Sequence, residues 1–315
     1  MIVVCGEALV DMVPSKCGAE DGYVPRPGGS PSNVAVGLAR LDAPVAFLGK
    51  VSRDPFGRLL RRHLETNAVD LRYVVTGTEH TTLAFVERRE GQEEEYSFYS
   101  ENSADRNLRP QELPATFAPE VGGIHFGSIS LVLEPSASTL EACMRRERGR
   151  LLISLDPNVR PFLIEDATAY RARLEGWIAA ADFIKVSAAD LGWLYPGVPA
   201  DRVAKEWLEL GPALVVVTRG SQGSTAHGHR AEASAAPIPV KVVDTVGAGD
   251  SFTSGALGWL HRSGRLDRTL LAELSEVELG ELLGYAGLVS AFTCTRAGAD
   301  PPSLAELAAF ARSRA

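Results

Sequence analysis

The sequence predicts an α/β protein built on a mostly parallel sheet. Three observations carry this. Short apolar runs, each too brief for a helix, recur at 2–5, 45–51, 124–126, 151–155, 183–186 and 213–217. Residues at helical spacing follow most of them, and alternation of this kind builds parallel sheets. Glycines, prolines and polar residues gather where the runs end, which is where open α/β sheets bind ligands.

The run 2–5 leads into Gly6-Glu7-Ala8-Leu9-Val10-Asp11. Asp11 follows a strand's carboxyl end, as either a ligand contact or a turn residue. Residues 14–30 carry Pro14, Pro25 and Pro27 with Gly18, Gly22, Gly28 and Gly29, which predicts a loop or irregular hairpin. Ser30 suits a helix N-cap with Pro31 at the first helical position. Val34, Val36, Leu38 and Leu41 continue at helical spacing. Gly28, Gly29 and Asn33 therefore converge on a helix N-terminus, and the Asn33 amide offers both donors and an acceptor for sugar hydroxyls or is simply a first-turn residue. After the strand at 45–51, Asp54-Pro55 opens a helix to about Asn67.

Residues 81–88 and 94–99 are β-rich, with Gly91 as the turn between them. Tyr96 and Phe98 alternate with Ser97 and Tyr99, as on a half-exposed sheet. Residues 101–119 show little periodicity. From Gly123 the alternation resumes: strand 124–126, helix 135–147, strand 151–155. The last ends at Asp156-Pro157-Asn158-Val159-Arg160, where Arg160 can grip sugar or phosphate oxygens with its planar fork, or pair with Asp156 or Glu165. A helix at 165–180 and a strand at 183–186 lead to Ser187 and Asp190, spaced as a capping box. The strand 213–217 ends at Thr218-Arg219-Gly220-Ser221-Gln222-Gly223, and a hairpin joins 224–226 to 231–233, with His227 and His229 flanking Gly228 in its expected turn.

Val242 and Val243 predict a short strand entering Asp244-Thr245-Val246-Gly247-Ala248-Gly249-Asp250, and a helix then spans 248–262. Glycines at a helix N-terminus let a phosphate approach the backbone amides, here those of Gly247, Ala248 and Gly249. A carboxylate in the first helical turn repels phosphate but suits proton removal from a hydroxyl that attacks it, which makes Asp250 the candidate base. No Gly-Lys-Ser/Thr follows, so this is no Walker A loop. Phe252 stands where a dinucleotide fingerprint needs glycine or alanine. Helices at 279–295 and 303–313 complete the chain.

The bulk numbers bound the function. A net charge of −8 over 315 residues argues against a nucleic-acid surface. No apolar run reaches about 18 residues and no basic leader precedes the first strand, so the sequence predicts a cytoplasmic protein without membrane attachment. Its 4 cysteines are scattered, as in reduced proteins, and its 6 histidines form no H-E-x-x-H motif.

Residues 28–41 and 242–252 resemble, in order and distance, the two signatures of the PfkB/ribokinase family of carbohydrate kinases. Residues 49–57 continue the likeness, which extends from Ile2 to about Leu307 and is greatest to the fructokinases. The resemblance implies a ribokinase-like three-layer α/β/α sandwich, a single domain over 1–315, with a small β-sheet lid from about 10–26 and 75–105. It implies ATP-dependent phosphorylation of a sugar's primary hydroxyl, first of all D-fructose to fructose 6-phosphate. The alternatives are 2-keto-3-deoxygluconate kinase, ribokinase or, from another class, a sugar-binding regulator without catalysis.

By the same resemblance Asp11, Gly28, Gly29, Asn33, Phe98, Asn158 and Arg160 would hold the sugar. Ser187, Thr218, Gly220 and Gly223 would hold the nucleotide, with ATP the phosphoryl donor. Mg²⁺ would bridge its phosphates, and Asp190 either assists through water or only caps its helix, since Ser187 and Asp190 replace the usual Asn-x-x-Glu. Residues 293–299 are similar to the family's monovalent-cation loop, which implies carbonyls of Asp244, Val246, Thr293, Arg296 and Gly298 as K⁺ ligands. An open sheet edge in the lid suggests a homodimer through it.

Overall fold

The computed structural model describes residues 1–17, 20–87 and 95–314. In chain order the first half gives β1 (Ile2–Cys5), β2 (Leu9–Cys17), β3 (Glu20–Gly28), α1 (Ser30–Arg40), β4 (Val45–Ser52), α2 (Pro55–Thr66), β5 (Asp70–Gly77), β6 (Leu83–Glu87) and β7 (Glu95–Tyr99). The middle gives β8 (Gly123–Gly127), α3 (Ser136–Glu147), β9 (Leu152–Asp156), α4 (Ala167–Ala180), β10 (Phe183–Ser187), α5 (Ala188–Leu194) and α6 (Ala200–Leu208). The remainder is β11 (Leu214–Thr218), β12 (Ser224–Gly228), β13 (Glu232–Ala235), α7 (Ala248–Arg262), α8 (Arg268–Ala272), α9 (Glu276–Thr293) and α10 (Leu304–Arg312).

Nine strands form the main sheet in the order β13-β12-β11-β10-β9-β8-β1-β4-β5. All pair in parallel except β12 and β13, which return as an antiparallel hairpin from β11. Successive side chains of a strand face opposite ways, and β1 shows the consequence. Ile2 and Val4 enter a core beneath α1, α2, α7 and α9, while Val3 and Cys5 enter a second core beneath α3, α4, α5 and α6. Burial on both faces explains why these strands read as unbroken apolar runs. The fold is thus the three-layer sandwich that the sequence predicts. No helix among the described residues is long and apolar enough to cross a membrane.

A second sheet of four strands runs β3-β2-β6-β7. Of the loop or irregular hairpin expected at 14–30 the hairpin forms, and it is regular: β2 and β3 pair in antiparallel register from Leu9↔Gly28 to Cys17↔Glu20. The prolines survive there for a physical reason. β3 is an edge strand, and β6 pairs only with Val10–Met12, short of Pro14. Residues 75–77, expected in this small sheet, instead end β5 at the edge of the main one. The expected turn at Gly91, with Arg88 and Glu94, lies outside the described residues.

Two further expectations fail locally. Val242 and Val243 form no strand; the Val243 N–H donates to the Cys294 carbonyl at 2.8 Å, and both side chains are exposed. His227 lies within β12, buried, with Nε2 2.9 Å from Asp201 Oδ1, not in a turn.

Candidate active site

Two helix N-termini meet at the carboxyl ends of the parallel strands. Gly247 begins α7 in the left-handed region, φ 74°, a conformation that costs glycine nothing. Phe252, Leu257 and Leu260 then bury one side of α7 in the first core. α1 crosses it closely, since a side chain on Gly37 would collide with Ser254. This crossing brings Ser30 and Asn33 to Asp250. Ser30 Oγ donates to Asp250 Oδ1 at 2.7 Å, and Asn33 Nδ2 donates to Oδ2 at 2.8 Å.

Ser30 therefore does not act as the expected N-cap. Gly29, φ 97°, takes the capping position, and the Ser30 hydroxyl turns to the carboxylate. Asn33, expected on the sugar, likewise spends an amide hydrogen on Asp250. Burial pushes the Asp250 carboxyl above the usual range; the two hydrogen bonds offset part of this, and the negative Asp156 nearby adds to it. The result is a buried, oriented carboxylate of raised basicity, which is what proton abstraction from an alcohol requires.

A cavity of about 830 Å³ opens over Asp250. The small sheet contributes Leu9, Asp11 and Phe98, and the main body contributes Ser128, Ile129, Asn158, Arg160 and Phe162. Gly29, Ser30, Asn33, Gly247 and Gly249 line its floor with Asp250, while residues 242–246 line another side. Gly28 stands outside the lining. A side chain there would collide with the Asp11 carboxylate, so its absence makes room for Asp11. The Phe98 ring, with its centroid 5.5 Å from that of Phe162, joins the small sheet to the main body. Arg160 Nη1 donates to Asn158 Oδ1 at 2.8 Å and to the carbonyls of Asn158 and Val159, not to Asp156 or Glu165.

Behind the Gly247–Asp250 turn lies a buried ion pair. Lys185 Nζ sits 2.8 Å from Asp156 Oδ2, which Thr253 Oγ1 also approaches at 3.2 Å. A Cβ on Gly249 would lie 3.1 Å from Nζ, so the ammonium backs directly onto the Gly247–Asp250 turn. Burial opposes the lysine's charge, but Asp156 outweighs it and holds the ammonium above its ordinary pKa.

Ser187 and Thr218 end the adjacent strands β10 and β11 and are register partners there. Gly220 and Gly223 follow with φ of 52° and 87°. None of these four lines the cavity; they share the sheet's carboxyl edge with it. Arg219 anchors their loop through Thr225 Oγ1 at 2.8 Å and through Asp201. Asp190 forms the capping box: its N–H donates to Ser187 Oγ at 3.0 Å, its Oδ2 accepts from the Ser187 N–H, and its Oδ1 accepts from the Val159 N–H at 3.2 Å. Burial and the neighbouring Asp156 raise its pKa.

The Asp244 carboxylate spans two loops, accepting from the Val246 N–H at 3.1 Å and the Gly298 N–H at 2.8 Å. Gly247 and Ala299 touch across the same seam, where a Cβ on Gly247 would lie 2.6 Å from that of Ala299. The Thr293 carbonyl accepts from the Arg296 N–H and the Gly298 carbonyl from the Asp300 N–H. The Arg296 guanidinium stacks on Phe292 and pairs with Asp300 and Glu306.

The profile of the pfkB family carbohydrate kinases matches residues 1–306. The chain belongs to the pfkB family of carbohydrate kinases. A fructokinase of Rhizobium leguminosarum bv. trifolii is 37% identical over 89% of this chain and 85% of its own, and fructokinase-1 of Oryza sativa subsp. japonica is 36% identical over 96% and 94%. Among solved structures, the ATP-bound fructokinase of Xylella fastidiosa superposes with a TM-score of 0.91 at 27% identity, covering 99% of this chain and 98% of that one. A fructokinase from Vibrio cholerae O395 with fructose, ADP and calcium gives 0.83 at 28% identity, covering 98% of each.

Within this pfkB kinase, sequence reasoning left several residues in or behind the cavity wall unassigned. Lys185 had a signal, a charge inside an apolar strand. So did Glu7, an acid at a strand's carboxyl end, and Phe162, an aromatic in a polar loop. Ser128 had none. Among the described residues no cluster of three or more His, Cys, Asp or Glu side chains is arranged to hold a metal ion. A divalent cation here would therefore rely chiefly on nucleotide phosphates, as Mg²⁺ commonly does.

Proposed function

We propose that this pfkB kinase transfers the γ-phosphoryl group of ATP to the primary hydroxyl of D-fructose, giving fructose 6-phosphate. One observation carries the reading: Asp250, oriented by Ser30 and Asn33, faces the cavity from the first turn of α7, whose N-terminal glycines, Gly247 and Gly249, line the same cavity. The named activities of the Rhizobium and rice relatives, and the fructose in the Vibrio structure, support fructose over other sugars.

Phosphoryl transfer asks a protein mainly for position and charge stabilisation. Asp11, Gly29, Asn158 and Arg160 hold and orient the sugar, and Phe98 with Phe162 keeps water from its reacting end. Gly28 serves by seating Asp11. Asp250 takes the hydroxyl proton as the oxygen attacks. The amides of Gly247, Gly249 and Asp250, backed by the Lys185 ammonium, stabilise charge on the transferring group; the Ala248 N–H, expected to join them, is instead donated to the Thr245 carbonyl at 3.1 Å and closes the turn. Ser187, Thr218, Gly220 and Gly223 bind the nucleotide by hydroxyl and close backbone approach. Asp190, which closes its own helix cap, would assist a bound Mg²⁺ only through water, and that ion would neutralise phosphate charge. K⁺ fits the seam joined by Asp244, where the carbonyls of Asp244, Val246, Thr293, Arg296 and Gly298 suit a weakly hydrated cation. The small sheet acts as a lid, and two copies pair through it; Tyr23 and Tyr99, both exposed, flank Phe85 there as an apolar aromatic face.

An ADP-coupled assay with D-fructose, 2-keto-3-deoxygluconate and ribose tests the assignment. Fructose should give the highest kcat/KM. A higher value with the keto acid would overturn the choice of sugar, and sugar binding without turnover of any of them would favour a regulator.

A further inference from the structure

Glu7 is almost wholly enclosed, yet it is among the residues that line the cavity. It lies just past the carboxyl end of β1, between the two segments that shape the sugar half of the cavity. On one side is the N-terminus of α1: a Cβ on Gly29 would lie 2.8 Å from the Glu7 carbonyl oxygen. On the other is the turn after β8, where Ser130 N–H donates to Glu7 Oε2 at 3.2 Å and the Ser128 side chain hydrogen-bonds to the same carboxyl.

That turn is strained. Ser128 holds φ 61°, a left-handed conformation that costs a non-glycine residue on the order of 1 kcal/mol or more. Within the turn Ser130 Oγ donates to the Gly127 carbonyl at 2.7 Å, and the Val132 and Leu133 N–H groups donate to the Ile129 carbonyl, but none of these bonds involves the Ser128 side chain. Strain persists only where surroundings enforce it, and Glu7 is the charged partner that reaches the turn. Ser128 and Ile129, the residues so held, line the cavity together with Asp11 and Arg160.

We propose that Glu7 is a positioning residue for sugar binding: its carboxylate holds the Gly127–Ser130 turn in the strained form that presents Ser128 to the sugar. This rests on the sugar-kinase reading above. Both donors favour the ionised carboxylate; protonation puts a hydrogen on an oxygen that must accept, and the turn loosens. Burial pushes the Glu7 pKa up to about 7 against those hydrogen bonds, so the change falls within the working range. Asp105 faces Glu7 from the 105–107 turn and raises its pKa further. The first two turns of α1 bring no charge, and Lys50 on β4 is already paired with Glu79 and Glu112. Asp11, Arg160, Asp244 and Asp250 stand elsewhere around the cavity.

The test is steady-state kinetics from pH 5.5 to 8.5 on wild type, Glu7→Gln and Ser128→Ala, with melting curves beside them. In wild type, KM for fructose should rise as pH falls through about 7. Glu7→Gln should raise that KM about tenfold at pH 8, the scale of one hydrogen bond to a charged group, and remove its dependence on pH near 7. The rise should fall on KM for fructose more than on kcat or KM for ATP. Ser128→Ala, which deletes one hydroxyl, should raise the same KM and serves if Glu7→Gln folds poorly. Wild-type KM in Ser128→Ala, a retained inflection in Glu7→Gln, or equal losses for sugar and ATP would overturn the role. Wild type inactive on fructose would sink only the choice of sugar, and the same profile is then read with the sugar it does phosphorylate.

Discussion

Lys185 Nζ lies 2.8 Å from Asp156 Oδ2, with both side chains closed off from water at the carboxyl end of the sheet. Such a pair stabilises a fold little, because desolvation costs about what the attraction returns. Its position is more telling, since the ammonium rests against Gly249 in the turn proposed to receive the phosphoryl group. Lys185→Met should strand Asp156 and cost roughly 3–5 kcal/mol of stability. Lys185→Met with Asp156→Asn removes both charges and should recover most of that in a melting experiment. It should still turn over on the order of 10²-fold slower, the scale of losing one charge-stabilising donor. Wild-type kcat in the stable double variant would remove Lys185 from the chemistry.

Asp250→Asn should leave melting and ATP binding close to wild type while lowering kcat on the order of 10²–10⁴-fold. The pH profile adds a sign. Burial raises the Asp250 pKa, so kcat should fall on the acid side at a pH above that of a free carboxylate. The Ser30 and Asn33 hydrogen bonds favour the ionised form and hold this value down. Asn33→Ala therefore moves the acid limb to higher pH, and a limb moved to lower pH would contradict the assignment of Asp250 as the base.

The fold was legible because both faces of the sheet are buried, which writes β1, β4 and β8 through β11 as plain apolar runs. β5 was not, because it is an edge strand whose residues are mostly half-exposed and carry Arg72 and Thr76. The small sheet was half legible: its aromatic alternation showed, while Pro14, Pro25 and Pro27 made a regular edge hairpin read as a loop or an irregular hairpin. At the site, Asp250 could be read from its glycines and its place in a helix turn. Its partners could not be read fully, because the capping chemistry that makes Ser30 look like an N-cap also suits it to a carboxylate delivered by α7, some 220 residues away. Lys185 and Glu7 acquire meaning only once neighbouring strands set them behind Gly249 and beside Ser128.

Asp244 offers a test of the monovalent-cation seam. Its carboxylate joins the turn before α7 to the loop after α9, so the backbone oxygens on both sides keep their spacing through it. Replacing K⁺ by choline at constant ionic strength should lower kcat several-fold. Asp244→Ala should raise the K⁺ concentration for half-activation on the order of 10²-fold, as expected for losing two hydrogen bonds to a charged group. Equal rates in K⁺ and choline would remove the cation from the reading.

His125 sets an acid limit on stability. It is buried on β8 with Nδ1 2.8 Å from Ser154 Oγ. Burial lowers its pKa from 6.5 to about 4, against the pull of Asp156. Between those values the unfolded chain binds a proton that the fold refuses, so stability falls as pH falls, by up to about 3 kcal/mol at pH 4. Glu7 works with the opposite sign. Its pKa rises on folding from 4.5 to about 7, so the fold keeps a proton that the unfolded chain releases, and stability falls as pH rises through that window. The two slopes oppose each other between about pH 4.5 and 6.5 and flatten the wild-type curve. Single variants separate them. His125→Asn, which keeps a polar atom for Ser154, should lose less melting temperature than wild type between pH 7 and pH 5, and Glu7→Gln should lose more. Parallel curves for His125→Asn and wild type would mean that the folded protein takes up the His125 proton as readily as the unfolded chain.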